Sequence, residues 1–332
     1  MERTVTPPRH VGAPPDTRHH QAPEALPLEE RLSPGARTGR ANAERARVGR
    51  PFGLRLPFRR WFPHRRARAI LMAVFRGVGL EGAGRREASN LAIRDNRIRS
   101  QRLPAAFHGT RILHLSDLHL DTTPGILHSL VNRIGSLSFD CSVITGDLNS
   151  FAGSFCEKEA RLLRRALGAC PAYVSLGNHD SLVDAARWEA CGFTILVNER
   201  ISWERDEDRL TIAAIDDVHY LESPGDSIAS LASGSFGILL SHTPDVYREA
   251  AHAGFDVMFS GHTHGGQICA PGGFPLLRNA KAPRAFCAGA WSYLRLRGYT
   301  SRGVGCSGLP LRFHCPPEIV LHTIVREEYS PA

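Results

Sequence analysis

The sequence predicts an α/β fold, and two patterns in the order of its apolar segments support this prediction. Between residues 111 and 197, short apolar runs typical of buried strands alternate with segments of helical spacing, as in successive β-α-β units. From residue 200 onwards, strand-like runs flank a charged turn at 205–208, which indicates a hairpin. With 332 residues, 42% of them hydrophobic, the chain can build a sizeable core.

The predicted elements follow one another without an internal repeat. The first half has edge-strand material at 91–99, strands at 111–115, 141–145, 172–176 and 193–197, and helices at 125–135, 157–168 and 182–190. The second half has hairpin strands at 200–204 and 209–215, strands at 237–241 and 255–259 around a helix at 245–253, and strands near 285–290, 293–296 and 318–325.

Positive charge is concentrated towards the N-terminus. Residues 1–70 contain 15 Arg and 6 Asp or Glu, so their formal charge is +9, and the rest of the chain carries −1. Residues 1–50 lack periodicity and are predicted to be a disordered basic arm, although a start codon placed too far upstream is an alternative. Residues 51–90 form a basic, aromatic, amphipathic segment, and residues 91–328 form the folded domain.

The amphipathic segment can lie either on a membrane surface or on the body of the protein. Its apolar run, Ala69 to Val74, is interrupted by Arg76 and is too short to span a membrane. A helix lying on anionic lipid and a helix packing on the protein body both fit this pattern. Arg59 and Arg60 faintly resemble a twin-arginine export signal, but further arginines follow where the apolar region should begin. We therefore favour a cytoplasmic protein, with peripheral contact to the inner membrane as an option.

Cysteine usage also favours a reducing compartment. The eight cysteines contain no CxxC pair and no framework spacing, and several lie in apolar surroundings. We predict buried, reduced thiols and no structural zinc site built on cysteines.

Metal-binding residue types directly follow five of the predicted strands. The five motifs are Asp117-x-His119, Gly146-Asp147, Asn178-His179, His242 and His262-x-His264. Each motif alone has an ordinary explanation as a turn, a cap or a polar loop. Together they indicate one site, because ligand sites in α/β sheets gather at the carboxyl ends of strands.

The donor types of these motifs suit a pair of metal ions. Carboxylate, imidazole and amide oxygen favour Mn, Fe(II) or Zn over copper or calcium. Asp147 can bridge two ions about 3.5–4 Å apart, a pair that holds a phosphoryl oxygen and generates hydroxide at neutral pH. His179, beside Asn178, is well placed to protonate a leaving oxygen or to hydrogen-bond the phosphoryl group.

In this order the motifs resemble those of the calcineurin-like metallophosphoesterase superfamily, over about residues 108–326. GHTHGGQ at 261–267 and the stretch 303–323 resemble a bacterial, often membrane-associated branch that includes UDP-2,3-diacylglucosamine pyrophosphatases, enzymes of lipid A biosynthesis. The resemblance implies a four-layer α/β/β/α sandwich with two facing mixed sheets.

The resemblance also implies two divalent ions, with Mn favoured, and assigns the site residues. One ion would be held by Asp117, His119, Asp147 and His264, and the other by Asp147, Asn178, His242 and His262. His179 would be the catalytic histidine. Apart from the resemblance, Gln267 directly follows the loop of His262 and His264, and we predict from this position that it faces the substrate.

One departure from the family pattern leaves the orientation of His179 open. The family often has a second aspartate where this chain has Ser150, so Asp180 or the substrate phosphate would have to take over its role. Asp216-Asp217 is better explained as a turn. Three arginines, Arg295, Arg297 and Arg302, can bind phosphate or remain solvated, and we favour solvation for each.

The predicted function is a dinuclear metal-dependent phosphoesterase that uses metal-activated hydroxide to cleave a phosphodiester or diphosphate bond. Its substrate would be a small molecule, a lipid or a nucleotide-sugar lipid. The alternative is a non-catalytic, metal-stabilised scaffold, or a module that binds polyanions or membranes through the basic arm. Nucleic acid is not favoured as a partner.

Overall fold

The computed structural model describes residues 20–21, 27–32, 34–47, 64–151, 153–276 and 279–327. Its strands are β1 (His20–Gln21), β2 (Ala92–Ser100), β3 (Arg111–Leu115), β4 (Cys141–Thr145), β5 (Ala172–Ser175), β6 (Thr194–Leu196), β7 (Glu199–Arg205), β8 (Asp208–Ala214), β9 (Phe236–Leu240), β10 (Val257–Ser260), β11 (Cys269–Ala270), β12 (Phe274–Pro275), β13 (Gly289–Tyr293), β14 (Leu296–Thr300) and β15 (Glu318–Arg326).

The helices lie mainly between strands, as in an alternating α/β chain. They are α1 (Leu28–Arg31), α2 (Pro34–Arg47), α3 (His64–Gly77), α4 (Glu81–Ser89), α5 (Ile126–Ile134), α6 (Glu157–Ala166), α7 (Leu182–Ala190), α8 (Pro224–Leu231) and α9 (Tyr247–Ala253). Short 3-10 turns occur at Ala105–Phe107, Pro244–Val246, His264–Gly266 and Arg284–Phe286.

Two mixed sheets form the centre of the fold. The first has the order β2-β15-β3-β4-β5-β6, in which β15 runs antiparallel to β3 and the other neighbours are parallel. The second has the order β1-β7-β8-β9-β10-β14-β13, with a parallel centre from β8 to β14 and antiparallel pairs at its edges. A two-stranded ribbon, β11-β12, follows the second sheet's strand β10.

Three apolar clusters separate four layers. Leu130, Leu163 and Trp188 of helices α5–α7 pack on the first sheet. Between the sheets, residues such as Val143 meet residues such as Ile238 across the interface. A third cluster joins the second sheet to α8 and α9. The predicted four-layer α/β/β/α sandwich with two facing mixed sheets is thereby confirmed.

Element boundaries agree closely with the predictions except near the C-terminus. The strands expected at 285–290 and 293–296 lie further along, at Gly289–Tyr293 and Leu296–Thr300, and Arg284–Phe286 forms a 3-10 turn instead. Both strands are short, and arginines interrupt the apolar residues around β14, so the local pattern predicted two strands but not their bounds.

The structure differs from the predicted disorder of the basic arm. Within residues 1–50, helices α1 and α2 are described, and Leu28 and Arg40 are buried. Their positions depend on contacts with the rest of the chain, which composition and periodicity do not report. The remainder of the arm, and residues 51–63 of the amphipathic segment, lie outside the described residues. The division into segments stays a prediction.

Helix α3 carries the apolar run of the amphipathic segment. Among the described residues, no helix is long and apolar enough to cross a membrane. On α3, the ring of Phe75 stacks on the ring of Phe313, with 5.3 Å between their centroids, while Ile70 and Val74 are exposed. The helix therefore packs on the body with one face and leaves apolar side chains open on another.

Candidate metal centre

The ends of five strands, contributed by both sheets, meet at one edge of the sandwich. Strands β3, β4 and β5 of the first sheet and β9 and β10 of the second each end next to a predicted site residue. The site residues are, in chain order, Asp117, His119, Asp147, Asn178, His179, His242, His262 and His264. All are buried except His179, which is partly exposed.

Left-handed backbone is a shared feature of five site residues. The values of φ are 49° at Asp117, 39° at His119, 55° at Asp147, 68° at His262 and 50° at His264. Each such residue costs roughly 1–2 kcal/mol, and folded proteins retain this strain mainly at functional sites. Glycine makes the close approach possible, because a Cβ on Gly261 would collide with Ser116 and Asp117.

Asp117, His119 and His264 form the first group of ligand atoms. His119 Nε2 lies 3.2 Å from His264 Nε2, and His264 Nε2 lies 3.3 Å from Asp117 Oδ1. Asp147 Oδ2 is 3.5 Å from His119 Nε2, so it faces this group as well. His264 thus joins residues that lie about 145 positions earlier in the chain.

Asp147, His242 and His262 form the second group. His242 Nε2 lies 3.3 Å from Asp147 Oδ2 and 3.1 Å from His262 Nδ1. The Asn178 side-chain oxygen is 3.1 Å from the same His242 nitrogen. Asp147 Oδ2 therefore lies between the two groups, and His262 and His264 point into different ones.

The geometry of both groups fits a divalent cation. Donor atoms bound about 2.1 Å from one ion at angles of 90–109° are about 3.0–3.4 Å apart. The donor separations here are 3.1–3.5 Å, and within each group the ligand atoms lie within 4.8 Å of one another. Buried nitrogen lone pairs that face each other, as those of His119 and His264 do, need a cation or a proton between them.

Hydrogen bonds outside the two groups orient the imidazoles. His242 Nδ1 lies 2.7 Å from the carbonyl oxygen of Thr145, and His119 Nδ1 lies 2.8 Å from Ser150 Oγ. When Nδ1 carries the proton and donates it, the Nε2 lone pair is available for a metal ion. His262 reaches its group through Nδ1, and its Nε2 lies 3.1 Å from the side-chain amide of Asn279.

Burial sets the protonation of the first group. It lowers the pKa of His119 to about 3, and it raises the pKa of Asp117 to about 6. At neutral pH the histidine is therefore neutral and the aspartate is ionised, which are the forms that bind a metal ion.

In the second group, the pKa of Asp147 and the pKa of His242 shift in opposite directions. Burial acts against both charged forms, but the neighbouring histidines hold the pKa of Asp147 well below its usual range. Against the same burial penalty, Asp147 and Asp117 raise the pKa of His242 well above its usual value. A proton on His242 then balances the carboxylates, and binding of a cation would displace it.

His179 borders the first group, with its ring 5.4 Å from the ring of His119, and faces the carboxylate of Asp147. Its Nδ1 donates to the carbonyl oxygen of Ser150 at 2.8 Å, its backbone N–H donates to Asp147 Oδ1 at 2.9 Å, and its Nε2 lies 4.0 Å from Asp147 Oδ2. The main chain of Ser150 therefore orients the ring, so the missing carboxylate of the family pattern is not needed for this purpose.

Asp180, which we considered as the replacement for that carboxylate, has other partners. Its side-chain oxygens accept from the backbone N–H groups of Asp147, Leu148 and Gly177 at 2.8–2.9 Å. It holds the loops after β4 and β5 together.

Gln267 also has internal partners. Its side-chain nitrogen donates to the carbonyl oxygens of Ser307 and Leu309 at 3.1 Å and 2.9 Å, and its side-chain oxygen accepts from the Ser307 N–H at 2.9 Å. The residue ties GHTHGGQ to the stretch 303–323. This arrangement favours a structural role over the substrate contact that we predicted.

The three arginines lie in different places. Arg302 follows β14, and its Nε lies 3.8 Å from a carboxylate oxygen of Glu318. Its side-chain carbons pack against Gly265, which belongs to the loop at 261–267, here called the metal loop. Arg295 donates to the carbonyl oxygen of Gly254, before the start of β10, and Arg297 is exposed near that end. Only Arg302 of the three is therefore close to the ligand residues.

The loop after β8 contributes His219, which the sequence analysis missed. Asp217, buried, accepts from both Nδ1 and the backbone N–H of His219, at 2.6 Å and 3.0 Å. The His219 ring lies 6.1 Å from the ring of His262, so the Asp217–His219 pair borders the second group. Its sequence, Asp-x-His after a strand, is the same signal that marks Asp117 and His119.

Comparisons with known proteins agree with this site. The family model for calcineurin-like phosphoesterases matches residues 110–266, a span that begins before Asp117 and ends after His264. An uncharacterized metallophosphoesterase of Bacillus subtilis, YkuE, is 30% identical over 243 residues, which cover 69% of this chain and 84% of the relative.

Two further relatives have names that describe an activity. Phosphodiesterase YaeI of Escherichia coli is 27% identical over 232 residues, covering 65% of this chain and 82% of the relative. UDP-2,3-diacylglucosamine pyrophosphatase LpxG of Chlamydia muridarum is 26% identical over 298 residues, covering 69% and 88%. With the matched motifs and the confirmed fold, these similarities show that the chain belongs to the calcineurin-like phosphoesterase family and is a metal-dependent phosphoester hydrolase.

Proposed function

We propose that the protein is a dinuclear metallophosphoesterase that cleaves a phosphodiester or diphosphate bond. The observation that carries this proposal is the position of Asp147 Oδ2, which lies 3.5 Å from His119 Nε2 and 3.3 Å from His242 Nε2. One carboxylate oxygen thus faces both groups of ligand atoms, as a bridge between two ions requires.

Two divalent ions would supply Lewis acidity towards the phosphoryl oxygens and lower the pKa of water. The chain's own residues do the rest. A protonated His179 donates its Nδ1 proton to the Ser150 carbonyl and keeps Nε2–H 4.0 Å from Asp147 Oδ2, where it can protonate a leaving oxygen. Arg302, beside the metal loop, can contact a second phosphate group. We favour Mn among the ions that suit this donor set.

The preference for a diester or diphosphate bond, and for a lipid substrate, rests on the named relatives and on one surface. Helix α3 exposes Ile70 and Val74, and the hairpin that follows the metal loop exposes Phe274. Phe75 on Phe313 joins α3 to the segment beside that hairpin, since Phe313 pairs with the residues around β11. Ile70 and Val74 form the α3 apolar face, which suits peripheral contact with an anionic bilayer.

We further propose that the enzyme works in the cytoplasm at the inner-membrane surface. All eight cysteines are free thiols, which suits a reducing compartment. The basic charge of residues 1–70 would strengthen attraction to anionic lipid.

The decisive experiment loads the metal-free protein with Mn and measures cleavage of an aryl phosphodiester beside UDP-2,3-diacylglucosamine. We expect Asp147→Asn to abolish turnover, since both ions lose their shared ligand. Cleavage of the aryl diester alone would keep the reaction class and remove the lipid substrate. A metal-loaded wild type as inactive as Asp147→Asn on mono-, di- and pyrophosphoesters would refute the proposal and favour a scaffold.

A further inference from the structure

The N-terminal helices α1 and α2 are held against the catalytic body by two buried arginines. Arg31 donates to the Ile195 carbonyl oxygen at 3.2 Å and forms ion pairs with Glu189 and Glu199 at 2.5 Å and 3.0 Å. Arg40, at 2% exposure, is the second. Both arginines precede the part of the chain that the family model matches.

Arg40 contacts the loops that carry the metal site. Its guanidinium donates to the carbonyl oxygen of Asp180 at 2.9 Å and forms an ion pair with Asp216. The same group lies over the Tyr220 ring, 4.1 Å from its centroid. Glu44, one helical turn further along α2, accepts from Arg40 Nε at 2.9 Å and fixes the side chain in this position.

Two partners of Arg40, Asp180 and Tyr220, contact residues of the metal site or their neighbours. Asp180 binds the backbone N–H groups of Asp147 and Gly177, the loops that present the bridging carboxylate and Asn178. Tyr220 donates its hydroxyl to the carbonyl oxygen of Asn178 at 3.2 Å. One arginine thus braces the chain on both sides of the second group.

We propose that Arg40 is a positioning residue for the second metal ion, and that α2 is a working part of the active-site wall. This inference rests on the proposed dinuclear function. The physical reason is geometric: a ligand set binds tightly only when its loops are held before the ion arrives, and loss of such outer contacts commonly weakens metal affinity about 10–100-fold. The planar guanidinium supplies two directed donors and a stacking surface, which lysine cannot reproduce.

Arg31 provides a matched control. It is a buried arginine of the same segment, with carboxylate and carbonyl partners, but its contacts lie on α7, β6 and β7 rather than on the loops beside Asn178. Arg40→Ala removes the partner of the buried carboxylate of Asp216, and Arg31→Ala removes the partner of the half-buried carboxylates of Glu189 and Glu199, so both variants should lose stability. Only the Arg40 variant should change the affinity for the second ion.

The test is equilibrium dialysis of the full-length metal-free chain against Mn²⁺, with bound metal counted by elemental analysis. The variants are Arg40→Ala, Arg40→Lys and Arg31→Ala. We expect the wild type and Arg31→Ala each to bind two ions per chain. At each of the two sites, Arg31→Ala should have the wild-type affinity. We expect Arg40→Ala to bind one ion normally and the other at least about 10-fold more weakly, with Arg40→Lys close to it.

The Mn²⁺ electron paramagnetic resonance spectrum gives an independent readout, since a coupled pair and a single ion differ in signature. Equal affinities in Arg40→Ala and Arg31→Ala would overturn the inference, because the effect would then be one of general stability. If Arg40→Ala fails to fold, Arg40→Lys and Tyr220→Phe decide, and wild-type affinity for both ions in these two variants overturns it.

Failure of the proposed function would look different. A wild type that binds fewer than two ions, or that binds two and cleaves no phosphoester, contradicts the dinuclear hydrolase itself. A wild type that binds two ions and turns over, while Arg40→Ala keeps wild-type affinity, contradicts only the role of Arg40.

Discussion

His119 Nε2 and His264 Nε2 lie 3.2 Å apart although the two residues are separated by 145 positions and follow strands of different sheets. Two buried imidazole nitrogens at this distance, with no carboxylate between them, need a cation or a proton between them. The contact joins the sheets at their common edge. Five predictions test how the chain maintains this edge and what surrounds it.

Gly261→Ala should damage the first group. The added Cβ would collide with Ser116 and with the metal-facing carboxylate of Asp117. We expect a loss of about 1–3 kcal/mol in the free energy of unfolding, measured by urea denaturation, and weaker binding of one ion. Gly77→Ala is the control, because its Cβ would enter open space. Equal effects of the two substitutions would contradict the prediction.

Ser150→Ala should separate the two roles of Ser150. Its hydroxyl oxygen lies 2.8 Å from His119 Nδ1, whereas its carbonyl oxygen accepts from His179 Nδ1. Removing the hydroxyl should weaken the affinity for the first ion about 10-fold while the carbonyl keeps His179 oriented. With saturating Mn, kcat for an aryl diester should therefore stay near the wild-type value. A large drop in kcat at saturating metal would show that the hydroxyl also serves His179.

Gln267→Ala should lower stability without changing substrate affinity. The substitution removes both donors to the Ser307 and Leu309 carbonyls and leaves the Ser307 N–H without its acceptor. Loss of these three hydrogen bonds should lower the free energy of unfolding by about 2 kcal/mol. KM for an aryl diester should stay unchanged. A raised KM with unchanged stability would restore the substrate contact that the sequence suggested.

The metal-free protein should lose stability as the pH falls below about 6.5. Burial lowers the pKa of His114 and of His119 to about 3, so the unfolded chain takes up protons between pH 6.5 and 3 that the folded chain excludes. Stability from this source is complete above pH 6.5 and is lost towards pH 3. Raised carboxyl pKa values, as at Asp180, act in the opposite direction between about pH 4 and 6.

At pH 5, each such histidine should lower the free energy of unfolding by about 2 kcal/mol relative to pH 7, measured by urea denaturation in the presence of a chelator. His114→Phe should flatten this dependence, because it removes a buried titratable group that lies outside the ligand set. An unfolding free energy that is constant from pH 7 to 5 in the wild type would contradict the prediction.

The α3 apolar face should mediate binding to anionic vesicles. Ile70→Asp combined with Val74→Asp places two charges on a face that is exposed in the protein, so folding should be unaffected. We expect the double variant to lose co-sedimentation with phosphatidylglycerol vesicles. Val183→Asp, at an equally exposed valine on α7, is the matched control. Equal retention of all three proteins on vesicles would remove this surface from the proposal.

The convergence of the residues in the two groups was predictable because each follows a strand whose apolar pattern is local. Asp117 after β3 and His262 after β10 needed only the rule that parallel strands present their carboxyl ends at one edge. The same rule would have found His219 after β8. We discounted Asp217 as a turn residue, and so its partner was missed.

Residues that act through the backbone or through distant contacts were not predictable. The Ser150 carbonyl orients His179, yet a backbone acceptor leaves no trace in residue identity. Arg40 lies in a segment whose composition resembles a disordered arm, and its burial depends on Asp216 and Tyr220, about 180 positions away. Local pattern cannot report such a contact, because the energy that orders α2 comes from the body of the protein.

The position of β15 has a consequence for synthesis of the chain. This strand is the last of those described, yet it lies between β2 and β3 in the first sheet and pairs with both. At translation rates of 5–20 residues per second, β2 and β3 emerge roughly 10–40 s before the strand that joins them. During that interval two sheet edges are open to wrong partners, so we expect production of the enzyme to depend strongly on chaperones that shield nascent strands.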